Sequence, residues 1–311
     1  MQKALPSEAL KQAKYASMTL VTGDDYHQFA KKHRQVIVGN VTIPIAQAVS
    51  IKKFAPPSDY KHESFTVWSF PDRGDWSTHD GKYRGNWSPY IPYNLIWKYT
   101  KEGDTVLDQM TGSGTTLIEC KLLGRNAIGI DVNYNSILVA LDRLNFDYDN
   151  RVSVNAYVGD ARNLNKIDDE SIDLIATHPP YAGIISYSRS QIKADLSALS
   201  IDKYLQEMRL VAEECFRVVK PDRHCGILIG DTRKHRHYVP ISHNVLHIFL
   251  DAGFILKEDI IKLQHKTKGT REAWRGSNYD FYKIAHEHLY VFRKPSRNEK
   301  IQQYKHSKNL F

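Results

Sequence analysis

Two segments of the chain hold side chains suited to chemistry, and each closes a strand-like run: Asp108-Gln109-Met110-Thr111-Gly112-Ser113-Gly114-Thr115-Thr116 and His178-Pro179-Pro180-Tyr181. In the shorter one, consecutive prolines hold the backbone extended and donate no hydrogen bonds, which leaves carbonyls free, while Tyr181 offers a flat face for stacking. Such a site suits an exocyclic amine on an aromatic base. The lone pair of that nitrogen is delocalised into the ring, so an enzyme that alkylates it must hold its N–H groups on acceptors that favour a pyramidal nitrogen in line with the incoming carbon. His178 and the carbonyl after it are the candidate acceptors. To accept, His178 must be neutral, so activity is expected to fall as pH drops through the imidazole pKa, about 6.5 when unperturbed.

The longer segment reads as a ligand cradle. Its turn, Thr111 to Gly114, lets backbone approach a ligand closely and opens a helix whose N-terminus favours negative charge. Asp131 closes the next strand-like run, where a carboxylate can accept ribose hydroxyls, and Asp160 in Gly159-Asp160-Ala161 is placed to contact an adenine amino group. The pattern fits neither a dinucleotide turn nor a phosphate loop, because Gly112-x-Gly114 is followed by Thr115, Thr116 and Leu117. Cytosine C5 chemistry needs a cysteine nucleophile, usually after proline. Cys120, Cys215 and Cys225 do not follow proline, and they read as buried free thiols. His235 with His237, and His243 with His247, have ligand-like spacing, but no cysteine or carboxylate pair accompanies them and no metal is expected.

The elements that must position these groups follow from the hydrophobic pattern. Strand-like runs at 105–109, 127–131, 153–158, 172–177, 225–230, 254–264 and 287–292 alternate with helical stretches at 95–99, 115–123, 135–145, 201–219 and 240–252. That alternation predicts an α/β fold, a seven-stranded mostly parallel sheet with helices on both faces. Ligands bind beyond the carboxyl ends of such strands where chain order reverses, and Asp108, Asp131, Asp160 and His178 all fall there. The 311 residues divide into an irregular N-terminal appendage over 1–66, a core domain over 67–295 and a basic tail over 296–311. No run approaches the roughly 20 apolar residues of a membrane span, and the start lacks a secretory pattern, so a cytoplasmic protein is expected.

A net charge of +8 favours contact with a polyanion. Arg233, Lys234 and Arg236, then Lys266, Lys268, Arg271, Trp274 and Arg275, interleave cations with aromatics after two strands and suit phosphate contact and base stacking. With the 183–191 loop they are candidate clamps for a nucleotide flipped out of a duplex.

Together, D-x-x-x-G-x-G-T-T and H-P-P-Y resemble the amino-directed S-adenosylmethionine DNA methyltransferases, over roughly 86–295. The resemblance implies a Rossmann-like methyltransferase fold and methylation of adenine N6 or cytosine N4 in DNA, in the setting of restriction-modification. It implies cofactor binding at Asp108, Gly112, Gly114, Thr115, Asp131 and Asp160, with Trp87, Ser88 and Pro89 helping to enclose the methionine part, and amine binding at His178, Pro179, Pro180 and Tyr181. The departure is His178, where the family usually has Asp, Asn or Ser, and it leaves the base open. No large insertion of the kind that reads DNA sequence is visible, so the appendage, the basic loops, a homodimer or a separate specificity subunit must supply recognition. Relatives with Asn-Pro-Pro-Tyr methylate RNA or protein amides, which makes those substrates an alternative, as is a non-catalytic DNA-binding subunit of the same fold.

Overall fold

The computed structural model describes residues 15–148, 151–182, 192–265 and 280–308. The run Ile172–Thr177 has no polar alternation, and all six residues are buried, as a strand covered on both faces requires. This is β8. Four other strands run parallel with it: β5 (Thr105–Asp108), β6 (Asn126–Asp131), β7 (Val154–Val158) and β9 (Val219–Ile229). β12 (Ile255–Leu263) and β13 (His286–Arg293) form an antiparallel pair that joins β9 through β13.

All seven expected strands are present. Two three-residue strands from the N-terminal part extend the sheet to nine, in the order β1-β7-β6-β5-β8-β9-β13-β12-β4. β1 (Thr19–Val21) pairs antiparallel with β7, and β4 (Val67–Ser69) pairs parallel with β12. A separate hairpin, β2 (Gln35–Val38) and β3 (Val41–Pro44), packs with helix α1 (Gly23–Lys32) through Val36, Ile43 and Tyr26 against Leu138 and Val139 of helix α4 (Tyr134–Leu144). Described residues before 67 thus lie along the sheet's edge and over α4.

Alternate residues of the central strands feed two cores. Val106, Leu174, Ala176 and Leu228 meet Ile91 and Leu95 of α2 (Tyr90–Tyr99) and Leu117 and Cys120 of α3 (Thr115–Leu122). Leu107, Ile175, Ile227 and Ile229 meet α5 (Ile201–Val218) and α6 (Ile241–Asp251). α5 shows why: Tyr204, Met208, Val211, Cys215 and Val218 recur every three or four residues and are all buried, each contributing roughly 1.5–3 kcal/mol for a large apolar side chain.

From β5 the chain moves outward through β6 to β7, then returns to lay β8 on the other side of β5. Order reverses there. Asp108, Asp131 and Thr177 are the last residues of their parallel strands, so they end along one edge of the sheet with a crevice between β5 and β8.

Candidate active site

At that crevice a cavity encloses about 840 Å3 of empty space, its open mouth included. Trp87, Asp108, Gly112, Thr115, Asp131, Asp160, His178 and Pro180 all line it. The two chemical segments therefore face one space. They are also tied directly, because the Thr177 hydroxyl donates to Asp108 Oδ1 at 2.9 Å, while Thr116 and the Met110 amide donate to the same carboxylate.

The glycine turn is shaped by close approach. Gly112 has φ +51, and a Cβ there would stand 3.2 Å from the Tyr83 ring; Gly114 has φ +82, and a Cβ there would meet Ala140 Cβ at 3.0 Å. Gly114 lies behind the wall as the cap of α3, and its role is to let that helix start against α4. The Gly112 amide donates to Asp131 Oδ2 at 3.0 Å and the Asn133 amide to Oδ1 at 2.8 Å. Burial pushes the Asp108 carboxyl up to about 6 and that of Asp131 up to about 7.

Ser88 and Pro89 do not line the cavity. Pro89 caps α2, and the Ser88 hydroxyl donates to the Arg73 carbonyl at 2.7 Å. Arg73 in turn donates to the carbonyls of Asn86, at 3.1 Å, and Trp87. This clamp holds Trp87 in the wall, where its ring stacks on His178 with centroids 5.8 Å apart.

At the second segment, Pro179 is buried and Tyr181 stands behind His178. His178 Nε2 lies 2.7 Å from the Tyr181 hydroxyl, which donates to Glu287 Oε1, and Lys262 Nζ donates to Glu287 Oε2 at 2.8 Å. His178 Nδ1 is buried without a hydrogen-bond partner among the described residues. Burial lowers the imidazole to about 4, with Glu287 pulling it up and Lys262 and Arg73 pulling it down. The acidic limb expected at the ordinary imidazole value is thereby displaced downward, because the cavity wall removes the water that would solvate the cation.

Asp160 lines the cavity with its oxygens already engaged. Arg162 Nε donates to Oδ1 at 2.8 Å and Nη2 to Oδ2 at 2.6 Å, while Nη1 reaches Glu207 at 2.7 Å. A neighbouring carboxylate that the sequence reading missed is open. Asp195 is 4% exposed and lines the cavity; its Oδ1 accepts from the Ser197 amide at 2.8 Å, and its Oδ2 has no partner among the described residues. Its local signal is Asp195-x-Ser197, an Asx cap on a single 3-10 turn.

The basic residues fare differently. Arg233, Lys234 and Arg236 belong to a hairpin, β10 (Thr232–Lys234) with β11 (His237–Val239), rather than to a loop. Arg233 stacks on Phe281, 4.5 Å from its centroid, and donates to the Tyr282 carbonyl at 2.6 Å; Arg236 pairs with Asp280 at 2.7 Å. Lys234 is exposed. Lys266, Lys268, Arg271, Trp274 and Arg275 lie outside the described residues, as does the 183–191 loop. Among the described residues Asp231, His243 and His288 bring ligand-type atoms within 4.8 Å of one another. Asp231 caps α6 there, accepting from the Ser242 amide and hydroxyl, both at 2.7 Å, and from Tyr238.

Residues 13–141 and 172–310 match the model of a family described as DNA methylase, and residues 98–199 match that of an RMKL-like methyltransferase domain. A tRNA (guanine(10)-N2)-dimethyltransferase of Methanocaldococcus jannaschii is 36% identical over 106 residues, 32% of this chain and 29% of that protein. The type II methyltransferase M2.DpnII of Streptococcus pneumoniae is 42% identical over 64 residues, 21% of this chain and 24% of that protein. The chain thus spans under a third of the length of these curated relatives. Among solved structures, a SAM-dependent methyltransferase from Methanosarcina mazei is 16% identical at a TM-score of 0.44, over 65% of this chain and 98% of that one.

Proposed function

This chain belongs to the DNA methylase family, and from that premise we propose that it transfers a methyl group from S-adenosylmethionine to the exocyclic amine of adenine (N6) or cytosine (N4) in DNA. The observation that carries the reading is the one cavity lined both by the glycine turn and by His178 and Pro180. The cavity also suits the cofactor. It offers the Asp131 carboxylate at a strand end, a glycine where a side chain would strike Tyr83, and buried oxygens without partners among the described residues on Gln109, Thr111 and Asp195. Asp131 would take the ribose hydroxyls, and Asp195 is the freer acceptor for the adenine amino group because Arg162 occupies Asp160. When bound, the cofactor supplies a methyl group on a cationic sulfur.

The residues then act on the amine. His178 Nδ1 and the carbonyl after it accept its two hydrogens, which draws the nitrogen lone pair out of conjugation. A ring amine that has gained a fourth substituent is a strong acid, so an imidazole of low basicity is sufficient to take its proton. Tyr181, behind His178, fixes the wall against which the base lies.

RNA is the second reading, favoured by the match to a tRNA enzyme whose name specifies guanine N2, itself an exocyclic amine. Tritiated methyl transfer to duplex DNA and to RNA, followed by nucleoside analysis, separates the two. Label on N6-methyladenine or N4-methylcytosine in DNA is expected. Label found only in RNA would replace this reading with the second.

A further inference from the structure

We propose that Glu287 is a positioning residue: through the Tyr181 hydroxyl it fixes the ring tautomer of His178, so that the ring presents a bare Nδ1 to the target amine. The proposal rests on the reading of His178 as amine acceptor. It follows from placing the hydrogens. Glu287 is buried in β13, and although burial alone would raise its carboxyl, Lys262 holds it below the ordinary range, so it is ionised and has no hydrogen to give. The hydrogen shared between Tyr181 and Glu287 therefore belongs to the phenol, which has only one. Toward His178 Nε2, 2.7 Å away, the same oxygen can then only accept, and Nε2 must carry the N–H. A neutral imidazole has one N–H, so Nδ1 is left with its lone pair.

The surroundings fit this assignment. His178 lines the cavity, and its Nδ1 is buried without a partner among the described residues. The groups facing the ring are Trp87, stacked on it, the Gly85 carbonyl from the preceding wall, Arg73, and Lys262 and Glu287 from β12 and β13. The Gly85 carbonyl favours the opposite tautomer, with a hydrogen on Nδ1. Opposing it is a charge-assisted chain, and hydrogen bonds to an ionised partner are roughly twice as strong as neutral ones. The phenol itself has little freedom, since a Cβ on Gly230 would already stand 3.1 Å from Tyr181 Cζ. A bare Nδ1 takes an N–H and rejects a carbonyl oxygen, which makes the relay a filter for amino-bearing base edges.

The test reads the tautomer directly. The full chain, labelled with 15N-histidine and bound to S-adenosylhomocysteine, gives ring nitrogen shifts, and the His178 signal is the one missing in His178→Asn. At neutral pH the expected result is an unprotonated Nδ1 and a protonated Nε2. Glu287→Gln and, independently, Tyr181→Phe are expected to mix or invert that pattern and to lower kcat at least about tenfold, with cofactor KM within about twofold. A proton on Nδ1 in the unsubstituted protein, or an unchanged tautomer in both variants, overturns the proposal. Because the tautomer is read without turnover, a bare Nδ1 in a protein that methylates neither DNA nor RNA counts against the function above and not against the role of Glu287.

Discussion

Cofactor affinity should depend on pH in a range where ordinary aspartates are already fully ionised. Burial places the Asp131 carboxyl at about 7 and that of Asp108 at about 6 in the free protein, and ribose hydroxyls need the ionised, acceptor-only form of Asp131. The sign follows from the raised values: the competent form is present above them and lost as pH falls through them. If binding requires the ionised form, the apparent dissociation constant scales with one plus the ratio of protonated to ionised carboxyl. Between pH 8 and pH 6 that factor is about tenfold for Asp131 and about twofold more for Asp108, together about twentyfold or ~1.8 kcal/mol. Titration calorimetry with S-adenosylhomocysteine measures it without the sulfonium charge, so attraction between cation and carboxylate cannot mimic the trend. Asp131→Asn is expected to bind more weakly throughout and to keep only the twofold dependence. Affinity constant within about twofold from pH 8 to 6, or a full slope surviving in Asp131→Asn, would exclude Asp131 as the titrating acceptor.

Three further outcomes follow from the site. With saturating cofactor, single-turnover rates should stay flat from neutral pH down to about 5 and fall as His178 protonates near 4; a limb near the ordinary imidazole value would contradict the burial of that ring. Tyr181→Ala should damage turnover far more than cofactor affinity, because Tyr181 stands behind His178 and outside the wall around the glycine turn; equal losses in both would exclude that division. Arg162→Ala removes the cation paired with buried Asp160 and one of the partners of Glu207, and should lower unfolding stability by about 3–5 kcal/mol in urea titrations at neutral pH, whereas a loss below about 1 kcal/mol would show that the carboxylates do not depend on their shared cation.

What could be read in the sequence divides along physical lines. The seven long strands and the helices between them are legible because burial on two faces leaves an uninterrupted apolar run, as in Ile172–Thr177, and burial on one stripe leaves a three-to-four repeat, as in α5. β1 and β4 have three residues each, too few for any period, and exist through pairing with β7 and β12. The β10–β11 hairpin escapes for a different reason. Its turn puts His235 and Arg236 at φ +50 and +69, where the usual signal is Asn-Gly, and the hairpin is held by contacts from Arg233 and Arg236 to residues 280–282, far along the chain. Arginines that read locally as phosphate contacts are thereby engaged in tertiary structure. The two segments that meet at the cavity were visible because strand ends, glycines and prolines act locally. Asp195 and Glu287 were not, since the role of each arises only when the sheet brings it beside the cavity; the one trace of Glu287 is a carboxylate between two histidines, ahead of the apolar run Leu289 to Phe292.

The distribution of charge bears on how such a site meets its substrate. The chain carries +8, yet the cavity lining contains four aspartates, Asp108, Asp131, Asp160 and Asp195, and no lysine or arginine among the described residues. A phosphate backbone would be repelled from that interior, whereas a cationic sulfonium and an uncharged base would not. For the proposed DNA substrate, a base would enter with its nucleotide out of the stack and its phosphates at the rim; the raised carboxyls of Asp108 and Asp131 are what results when acids gather where water is scarce. Cofactor binding relieves that cost by adding positive charge beside them. Arg162, locked between Asp160 and Glu207, does the same permanently for one member of the group, and this leaves Asp195 rather than Asp160 as the carboxylate with an oxygen to spare.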